Sequence, residues 1–382
     1  MQKIKIMSIF GTRPEATKMA PVIRELQKYE NIHSIVCVTA QHRHMLDQAL
    51  DVFEITPDYD LDIMQSGQRL SDILSRAIIG LEEVMTNVRP DLVLVHGDTS
   101  TTFAGAIAAF YQQIKVGHVE AGLRTYDKYQ PFPEEMNRRL TTQIADLHFA
   151  PTALSKANLL KENISKDKIF VTGNTAIDCL SVTISDDYKF HLPLLNRVDY
   201  KNKRIISMTA HRRENLGQPL ENILHAVRDV INSHPDTELI YAVHLNPEVQ
   251  KPAKRILSGN PRIHLIDPIN MDDMHNLMSR SYLILTDSGG IQEEAPSLDK
   301  PVIVLRNVTE RPEGLAAGTL RLAGNEYESV RRIFSELLNN RAEYEKLAYA
   351  RNPFGDGNAS NRIVRSILYS FGLTKELPED YE

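Results

Sequence analysis

The chain has 382 residues, of which 42% are apolar and 25% are charged. This length favours two or three domains over a single hydrophobic core. The formal net charge of −6 argues against nucleic acid and against a membrane surface as partners, because both of these carry negative charge.

The number of cysteines and the hydropathy of the chain indicate the cellular compartment in which we expect the protein. Cys37 and Cys179 are the only two cysteines, a number that favours a reducing cytosol over a disulfide framework or a zinc site. No apolar run approaches the ~18 residues that a membrane-spanning helix needs. The first residues lead directly into a strand, so we expect no signal peptide and a cytoplasmic protein.

Short β-branched runs alternate with stretches of helical period in the first half, which predicts a parallel sheet covered by helices. Because the runs are apolar almost throughout, we expect both faces of the sheet to be buried. The predicted strands are Ile4–Phe10, His33–Thr39, Asp91–Val95, Val116–Val119, Leu147–Ala150 and Ile169–Thr172. The predicted helices are Pro14–Gln27, Leu70–Asn87, Thr101–Gln112 and Glu134–Ile144.

Residues 185–203 lack a clear period and are interpreted as a linker, after which the alternation restarts. Strands are predicted at Arg204–Thr209, Glu238–Val243, Ile263–Ile266, Tyr282–Leu285 and Pro301–Leu305, and helices at Leu220–Asn232, Met271–Ser279 and Gly290–Leu298. The fold class is therefore α/β, with two doubly wound Rossmann-like domains facing a cleft. We expect residues 1–172 to form the first domain, joined by a C-terminal helix at 364–382, and residues 173–363 to form the second.

The first predicted strand is followed by Thr12, Arg13, Pro14 and Glu15. Thr12 can cap the next helix, Pro14 suits its first turn, and Glu15 favours the positive end of the helix dipole, so these three are interpreted as structural. Arg13 differs, because a guanidinium beside a helix N-terminus opposes the dipole and calls for an anion. The turn lacks the G-x-G-x-x-G spacing of a dinucleotide site.

Three carboxylates stand near strand ends or at a helix start in the first domain. Asp98 and Glu120 follow two successive strands, and Glu134 begins a helix. Ligands of open parallel sheets bind at the carboxyl ends of the strands. One of these side chains could be a helix cap, but three together indicate acid/base chemistry.

The second domain carries cations at the same kind of position. His211 and Arg212 follow its first strand, and His244 follows its second. A solvated charge run is the alternative, but the position directly after an apolar strand favours a phosphate site. Arg311 is either a further phosphate ligand or the partner of a nearby glutamate.

A strand running into Ser288, Gly289 and Gly290 is the sharpest single motif. Backbone N–H groups at a helix start can bind a diphosphate, and adjacent glycines allow a ligand to approach closely. Glu294, about one helical turn further on, could accept from both hydroxyls of a ribose. The alternative is an ordinary glycine turn with a surface glutamate.

Several long motifs occur together and in order. They are Phe10–Glu15, His96–Asp98, His118–Arg124, Thr209–Asn215, Ser288–Gly290 and Pro353–Gly357. On these motifs the chain resembles the non-hydrolysing UDP-N-acetylglucosamine 2-epimerase family over nearly its whole length. The resemblance implies a glycosyltransferase-B-type architecture, a homodimer, and no metal or nicotinamide cofactor. It also implies interconversion of UDP-GlcNAc and UDP-ManNAc, through elimination of UDP to 2-acetamidoglucal and re-addition, for bacterial capsule or wall polysaccharide.

The resemblance also assigns roles to residues. Those implied in the chemistry are Asp98, Glu120, Glu134 and His211. Those implied in holding UDP are Arg13, Lys18, His211, Ser288, Gly289, Gly290, Glu294 and Arg311, with base-contacting positions near Ile269 and Met274. Positions matching a second, activating UDP-GlcNAc site are Gln41, His42, Gln68, Arg212 and His244.

Three other functions share parts of this pattern. A glycosyltransferase of the same architecture would use the same glycine cradle and Glu294 but only one base. A hydrolysing 2-epimerase would release free ManNAc, and a UDP-sugar sensor would need no carboxylates. The three carboxylates favour the epimerase.

Overall fold

The computed structural model describes residues 3–41, 43–65 and 67–381. The chain divides into two compact units, Met1–Val182 with Gly355–Glu382, and Thr183–Phe354. Each unit is built on one parallel sheet. The predicted fold class, α/β with two Rossmann-like units, is confirmed.

The first unit contains a seven-stranded parallel sheet in the order β3-β2-β1-β4-β5-β6-β7. Its strands are β1 (Ile4–Phe10), β2 (Ile32–Val38), β3 (Tyr59–Asp60), β4 (Leu92–His96), β5 (Lys115–Val119), β6 (Leu147–Ala150) and β7 (Ile169–Val171). Its helices include α1 (Arg13–Leu26), α2 (Arg43–Val52), α3 (Leu70–Val88), α4 (Ser100–Tyr111), α5 (Glu134–Ile144), α6 (Ala153–Lys161) and α7 (Thr175–Thr183). The strand order reverses between β1 and β4, so β1, β4 and β5 end where open α/β sheets bind ligands.

Both faces of this sheet are buried, as their apolar sequences predict. Along β4, Leu92 and Leu94 enter one apolar cluster, whereas Val93 and Val95 enter the cluster on the opposite face. Successive strand side chains point to opposite faces, so a continuous apolar run is what a sheet covered on both sides requires. The short β3 is exposed at the sheet edge and was not predicted, because two residues leave no periodic signal.

The second unit contains a six-stranded parallel sheet in the order β10-β9-β8-β11-β12-β13. Its strands are β8 (Arg204–Thr209), β9 (Thr237–Ala242), β10 (Ile263–Ile266), β11 (Leu283–Thr286), β12 (Val302–Val304) and β13 (Leu320–Leu322). Its helices are α8 (Gln218–Ser233), α9 (Pro247–Leu257), α10 (Met271–Arg280), α11 (Gly289–Glu294), α12 (Pro312–Ala317), α13 (Tyr327–Asn339) and α14 (Arg341–Ala348). Here β8 and β11 end side by side.

The segment 185–203, interpreted from sequence as a linker, packs on this second sheet. Phe190 and Leu195 are buried in an apolar cluster with Ile205 and Ile240. The hydroxyl of Tyr188 donates to two aspartates of α10. The linker interpretation is wrong because these apolar side chains, spaced without a helix or strand period, still contribute to a core.

The last helix, α15 (Ala359–Ser370), belongs with the first unit from its first residue. The Asp178 carboxylate in α7 accepts hydrogen bonds from the backbone N–H groups of Ala359, at 3.1 Å, and Ser360, at 2.7 Å. Two otherwise unpaired N–H groups of the helix start are thereby satisfied. The two units divide near residues 182 and 355, whereas the sequence predicts boundaries at 172/173 and 363/364. The capping contact explains the difference, because it joins α7 to the start of α15 within the first unit.

Candidate active site

The turn after β1 fits glycine alone at Gly11. A Cβ atom at this position would lie 2.1 Å from Oγ1 of Thr39 and 2.5 Å from Oγ1 of Thr101. These two hydroxyls are hydrogen-bonded to each other at 2.8 Å, so the three chain segments are in close contact here. The glycine thus lets the end of β1 lie against the neighbouring strand end and helix α4.

Glu15 joins the loops after β1 and β4. Its carboxylate is buried and accepts from the backbone N–H of Gly11 and of Thr12, and from the hydroxyls of Thr12, Thr99 and Thr102. Burial raises the pKa of Glu15, which the hydrogen bonds from Thr12 and Thr99 oppose. This side chain has a structural role, in keeping with its predicted place in the first helical turn.

The two cations of α1 have different surroundings. Arg13 is the first residue of the helix and is half-buried. Within the described ranges, its guanidinium forms no ion pair. Lys18, one turn further along, forms an ion pair with Glu120 through Nζ and Oε2. Lys18 therefore connects α1 with the end of β5.

Glu120 directly follows β5 and has a backbone φ of 64°, in the left-handed region. Non-glycine residues rarely adopt this conformation, and when they do it often marks a functional position. Besides Lys18, its carboxylate has a close neighbour in His96, whose Nε2 lies 3.8 Å from Oε2. His96 was not assigned to the site from the sequence, although it begins the His96–Asp98 motif.

Asp98 follows β4 and is held by helix α5. Its carboxylate pairs with the guanidinium of Arg138, and its backbone carbonyl accepts from Nδ2 of Asn137 at 2.9 Å. Burial raises the pKa of Asp98; Arg138 lowers it, and nearby Glu120 raises it further. The structure thus brings Asp98 and Glu120 together at adjacent strand ends. Arg138 was missed from the sequence because its partner lies 40 residues away.

Glu134 is the first residue of α5 and is half-buried. It lies four residues before Arg138, so both side chains share one face of the helix. Its neighbour Glu135 is fully buried and accepts from the backbone N–H groups of Thr125 and Tyr126, which makes Glu135 structural. Burial and backbone contacts thus give Glu135 a structural role and leave Glu134 as the candidate for acid/base chemistry.

In the second unit, Asp287 organises the loop that follows β8. Its Oδ2 accepts from the backbone N–H groups of His211 and Arg212, both at 2.8 Å, and from Nδ2 of Asn215 at 3.0 Å. The Asp287 side chain is fully buried. Asp287 was not assigned a role from the sequence, because its partners follow a different strand.

The imidazoles of His211 and His244 stack. Their ring centroids are 5.1 Å apart and the ring planes are inclined by 27°. The two residues follow β8 and β9, which are adjacent in the sheet. The exposed His211 is thereby oriented from two sides, by Asp287 through its backbone and by His244 through its ring.

Two guanidiniums lie close to Gly289 at the start of α11. A Cβ atom on Gly289 would be 3.5 Å from Nη2 of Arg311 and 3.9 Å from Nη2 of Arg212. Arg311 also donates from Nε to the buried Glu293 carboxylate. The pairing of Arg311 with a nearby glutamate, one of the two alternatives from the sequence, is therefore present. Nη2 of Arg311 still faces the glycine, so the ion pair orients the guanidinium toward the Ser288–Gly290 backbone. Such an arrangement suits a phosphate or another anion.

Glu294 and the two base-contacting positions lie around α10 and α11. Oε2 of Glu294 is 3.5 Å from Nε2 of the buried His275, whose Nδ1 contacts a threonine hydroxyl. Ile269 lines a cavity of about 500 Å³ together with His191 and Pro268. Met274 is half-buried and packs against two apolar clusters of the unit.

The residues predicted for a second ligand site are distributed over both units. Gln41 is buried and accepts from the Thr101 hydroxyl at 3.1 Å, and Gln68 accepts from Nη2 of Arg76 at 2.6 Å. His42 lies outside the described residues. Arg212 belongs to the loop after β8, where its backbone N–H donates to Asp287, and His244 stacks on His211.

Two kinds of feature are absent from the residues that the structure describes. No group of three or more His, Cys, Asp or Glu side chains in that part of the chain is arranged to hold a metal ion. Likewise, none of its helices combines the length and apolar character needed to cross a membrane.

Two doubly wound α/β units, each with charged side chains at its strand ends, define a class of α/β proteins that bind polar ligands at those ends. Comparison with known proteins specifies the family. The model of the family described as UDP-N-acetylglucosamine 2-epimerase matches residues 24–368. The UDP-N-acetylglucosamine 2-epimerase of Bacillus subtilis (strain 168) is 55% identical over 381 residues, covering 100% of this chain and 99% of that protein.

Solved structures agree with this assignment. A co-structure of S. aureus MnaA with UDP has 51% identity, a TM-score of 0.88, and covers 99% of this chain and 100% of its own. The UDP-GlcNAc 2-epimerase from Neisseria meningitidis bound to UDP-GlcNAc has 50% identity, a TM-score of 0.81, and covers 96% and 100%. The chain belongs to the UDP-N-acetylglucosamine 2-epimerase family, a family of isomerases.

Proposed function

We propose that this protein interconverts UDP-GlcNAc and UDP-ManNAc by inverting C2 of the sugar. The observation that carries the proposal is the pair of carboxylates at adjacent strand ends, Glu120 beside Lys18 and Asp98 beside Arg138. One carboxylate can take a proton while the other stays ionised beside its guanidinium. A relative bound to UDP-GlcNAc supports the choice of substrate.

The chemistry explains why several acidic groups are needed. The C2 hydrogen has no adjacent carbonyl, so its simple removal as a proton is prohibitively slow. In the proposed route the C1–O bond breaks with its electron pair leaving on UDP, and the C2 proton passes to a carboxylate. The 2-acetamidoglucal that remains then receives a proton on the opposite face of C2, and UDP adds back to C1. Inversion thus requires acid/base groups on both faces of the ring.

The roles are proposed from the family resemblance together with the surroundings of Asp98. We assign proton exchange at C2 to Glu120 and Glu134, and stabilisation of positive charge on the sugar to Asp98. Burial raises the pKa of Asp98, and the Arg138 guanidinium opposes that rise, so Arg138 helps Asp98 to keep the negative charge that this electrostatic role requires. His211 would stabilise the departing diphosphate, since donors aimed at developing charge lower the barrier.

We further propose that the nucleotide is held by the cations and glycines described above. The diphosphate would be bound by Arg13, Lys18, His211, Arg311 and the Ser288, Gly289 and Gly290 backbone, the ribose by Glu294, and the uracil near Ile269 and Met274. Arg311 beside Gly289 supports this assignment, because a guanidinium and a side-chain-free backbone can both reach one phosphate. No metal or nicotinamide cofactor takes part in this scheme.

A second UDP-GlcNAc is proposed to act as an activator through Gln41, His42, Gln68, Arg212 and His244. The stacking of His244 on His211 supports a link between the two sites, because a ligand that moves one ring moves the other. Initial rates would then depend sigmoidally on UDP-GlcNAc concentration, and the H244A variant would make that dependence hyperbolic. We also propose a cytoplasmic homodimer that supplies bacterial capsule or wall polysaccharide.

One incubation tests the reaction. Purified protein is mixed with UDP-GlcNAc in deuterated water, and the products are followed by NMR at C2. We expect UDP-ManNAc and UDP-GlcNAc that both carry deuterium at C2. UDP with free ManNAc would indicate a hydrolysing epimerase, and unchanged UDP-GlcNAc would indicate a transferase or a sensor.

The division of roles is tested with E120Q, which keeps the shape of the side chain but cannot accept the proton. We expect deuterium incorporation at C2 to fall at least ~100-fold, the range typical of losing a general base. The control is E54Q, since the Glu54 side chain is 86% exposed and its only described contact is a surface pair with Arg24. Wild-type incorporation in E120Q would exclude Glu120 as the proton carrier.

A further inference from the structure

His96, the last residue of β4, is buried beside Glu120, and its ring forms no hydrogen bond with another described residue. Its side chain is 4% exposed, and Nε2 lies 3.8 Å from Oε2 of Glu120. Neither ring nitrogen has a hydrogen-bond partner in another residue of the described part of the chain. Leaving a buried polar group unpaired costs stability, so a ring kept in this state calls for a functional explanation.

Two other buried imidazoles of the same sheet show what a purely structural histidine looks like. Nε2 of His118 in β5 contacts the Gly97 carbonyl at 2.7 Å, and Nε2 of His148 in β6 contacts the Thr142 carbonyl at 3.0 Å. Each of these rings is anchored to the backbone. His96 instead has a carboxylate as the neighbour of its Nε2.

The charge on His96 follows from its surroundings. Burial lowers the pKa of His96 to about 4, so the ring is neutral near pH 7. A neutral imidazole can still donate one hydrogen bond from Nε2–H. Among the described residues, the other charged and titratable groups around the His96–Glu120 pair include Lys18 on α1, Asp98 after β4, His118 on β5 and Arg138 on α5.

We propose that His96 is a positioning residue, which donates a hydrogen bond from Nε2–H to the Glu120 carboxylate during proton exchange at C2. The inference rests on the proposed function, in which Lys18 binds the diphosphate and Glu120 acts on C2. When Lys18 turns to the phosphate, Glu120 loses its cation and keeps a neutral donor. The Nε2–Oε2 separation needs to shorten by about 1 Å to reach hydrogen-bond length, which a small side-chain rotation provides.

Two substitutions of His96 separate its hydrogen bond from its volume. H96L fills the site without a donor, whereas H96Q offers an amide N–H near the position of Nε2. A donor favours the ionised carboxylate, so H96L should raise the pKa of Glu120. We expect the acidic limb of the pH profile for C2 deuterium exchange to move up by about 1 pH unit in H96L and to stay in place in H96Q.

H148L is the matched control. It removes an imidazole that is equally buried in the same sheet but is bonded to a carbonyl and not to the site. We expect H148L to lower the unfolding midpoint and to leave the acidic limb where it is in the wild type. A limb that moves equally in H148L and H96L would assign the effect to loss of packing and overturn the proposal.

A second measurement decides the question independently of activity. The carboxyl carbons of glutamate are labelled with ¹³C, the Glu120 signal is assigned with E120Q, and its titration is followed by NMR in the presence of UDP. An unchanged Glu120 titration in H96L would overturn the role of His96 even in an active enzyme. If the wild type exchanged no deuterium at C2, the proposed function would be wrong. The titration would still show whether His96 donates a hydrogen bond to the Glu120 carboxylate.

Discussion

Removing the Asp287 carboxylate should release the loop that carries His211 and Arg212. In D287A the backbone N–H groups of both residues lose the acceptor that now lies 2.8 Å away. Asn215 loses its bond at 3.0 Å but keeps a second acceptor, the carbonyl of Leu305. The perturbation therefore falls mainly on the two backbone groups next to β8.

The size of the effect follows from those two groups. A hydrogen bond to a charged group contributes about 1.5–3 kcal/mol, so the loss of two such part-buried bonds suggests a loss of about 3 kcal/mol. For a unit of this size, about 3 kcal/mol lowers Tm by roughly 9 °C. D287N keeps the volume and one acceptor oxygen, so we expect it to lose less than half as much.

The assay combines urea unfolding with calorimetric titration of UDP. We expect D287A to weaken UDP binding about tenfold, which corresponds to about 1.4 kcal/mol of binding free energy. The reason is that UDP would have to order the His211 loop in the variant, whereas the wild type already holds it in place. The control is D236A, since Asp236 pairs with Arg204 at the surface and its side chain is 53% exposed. A surface pair of this kind contributes about 0–1 kcal/mol.

Two outcomes would contradict the role assigned to Asp287. If D287A unfolded within about 0.5 kcal/mol of the wild type and bound UDP equally well, the buried carboxylate would not be what orders the loop. If D287A lost stability but kept its affinity for UDP, Asp287 would stabilise the unit without positioning His211.

Two further predictions concern the first unit. Burial lowers the pKa of His118 to about 3, below about 6.5 in an unfolded chain, so its contribution to stability is present above about pH 6.5 and lost as the pH falls. Relative to H118Q, the wild type should lose about 1.4 kcal/mol of unfolding free energy per pH unit below that point. The measurement is urea unfolding of both proteins at pH 7 and pH 5.5. A difference in unfolding free energy between the two proteins that stayed the same at both pH values would contradict this. At Gly11, G11A places a Cβ 2.1 Å from Oγ1 of Thr39 and should cost about 2 kcal/mol in urea unfolding. The double variant G11A/T39A should recover part of that loss, and no recovery would exclude the contact as the cause.

Most of the fold can be predicted from patterns along the chain. Strand β1 at Ile4–Phe10, β6 at Leu147–Ala150 and β8 at Arg204–Thr209 have the predicted bounds, because buried parallel strands are short apolar runs that end abruptly in polar turns. Helix α5 likewise begins and ends where its pattern predicts. Buried positions recur at regular intervals along a strand or a helix, so the local sequence pattern shows which face of the element is buried.

The same rule located candidate residues, because the carboxyl ends of parallel strands gather at one edge of a sheet. Asp98 and Glu120 were predicted to lie at such ends, and they are neighbours in the structure. Assigning each a chemical role required the resemblance to a family, since strand-end carboxylates alone are also common helix caps.

The pairing of side chains, in contrast, depends on the three-dimensional packing. Arg138 with Asp98, Lys18 with Glu120, and Asp287 with the His211 loop join residues 40, 102 and 76 positions apart. Such contacts depend on how helices and strands pack, and no local spacing along the chain encodes them. The buried ring of His96 is the clearest case, because its two unpaired nitrogens become visible only when the strands around it are in place.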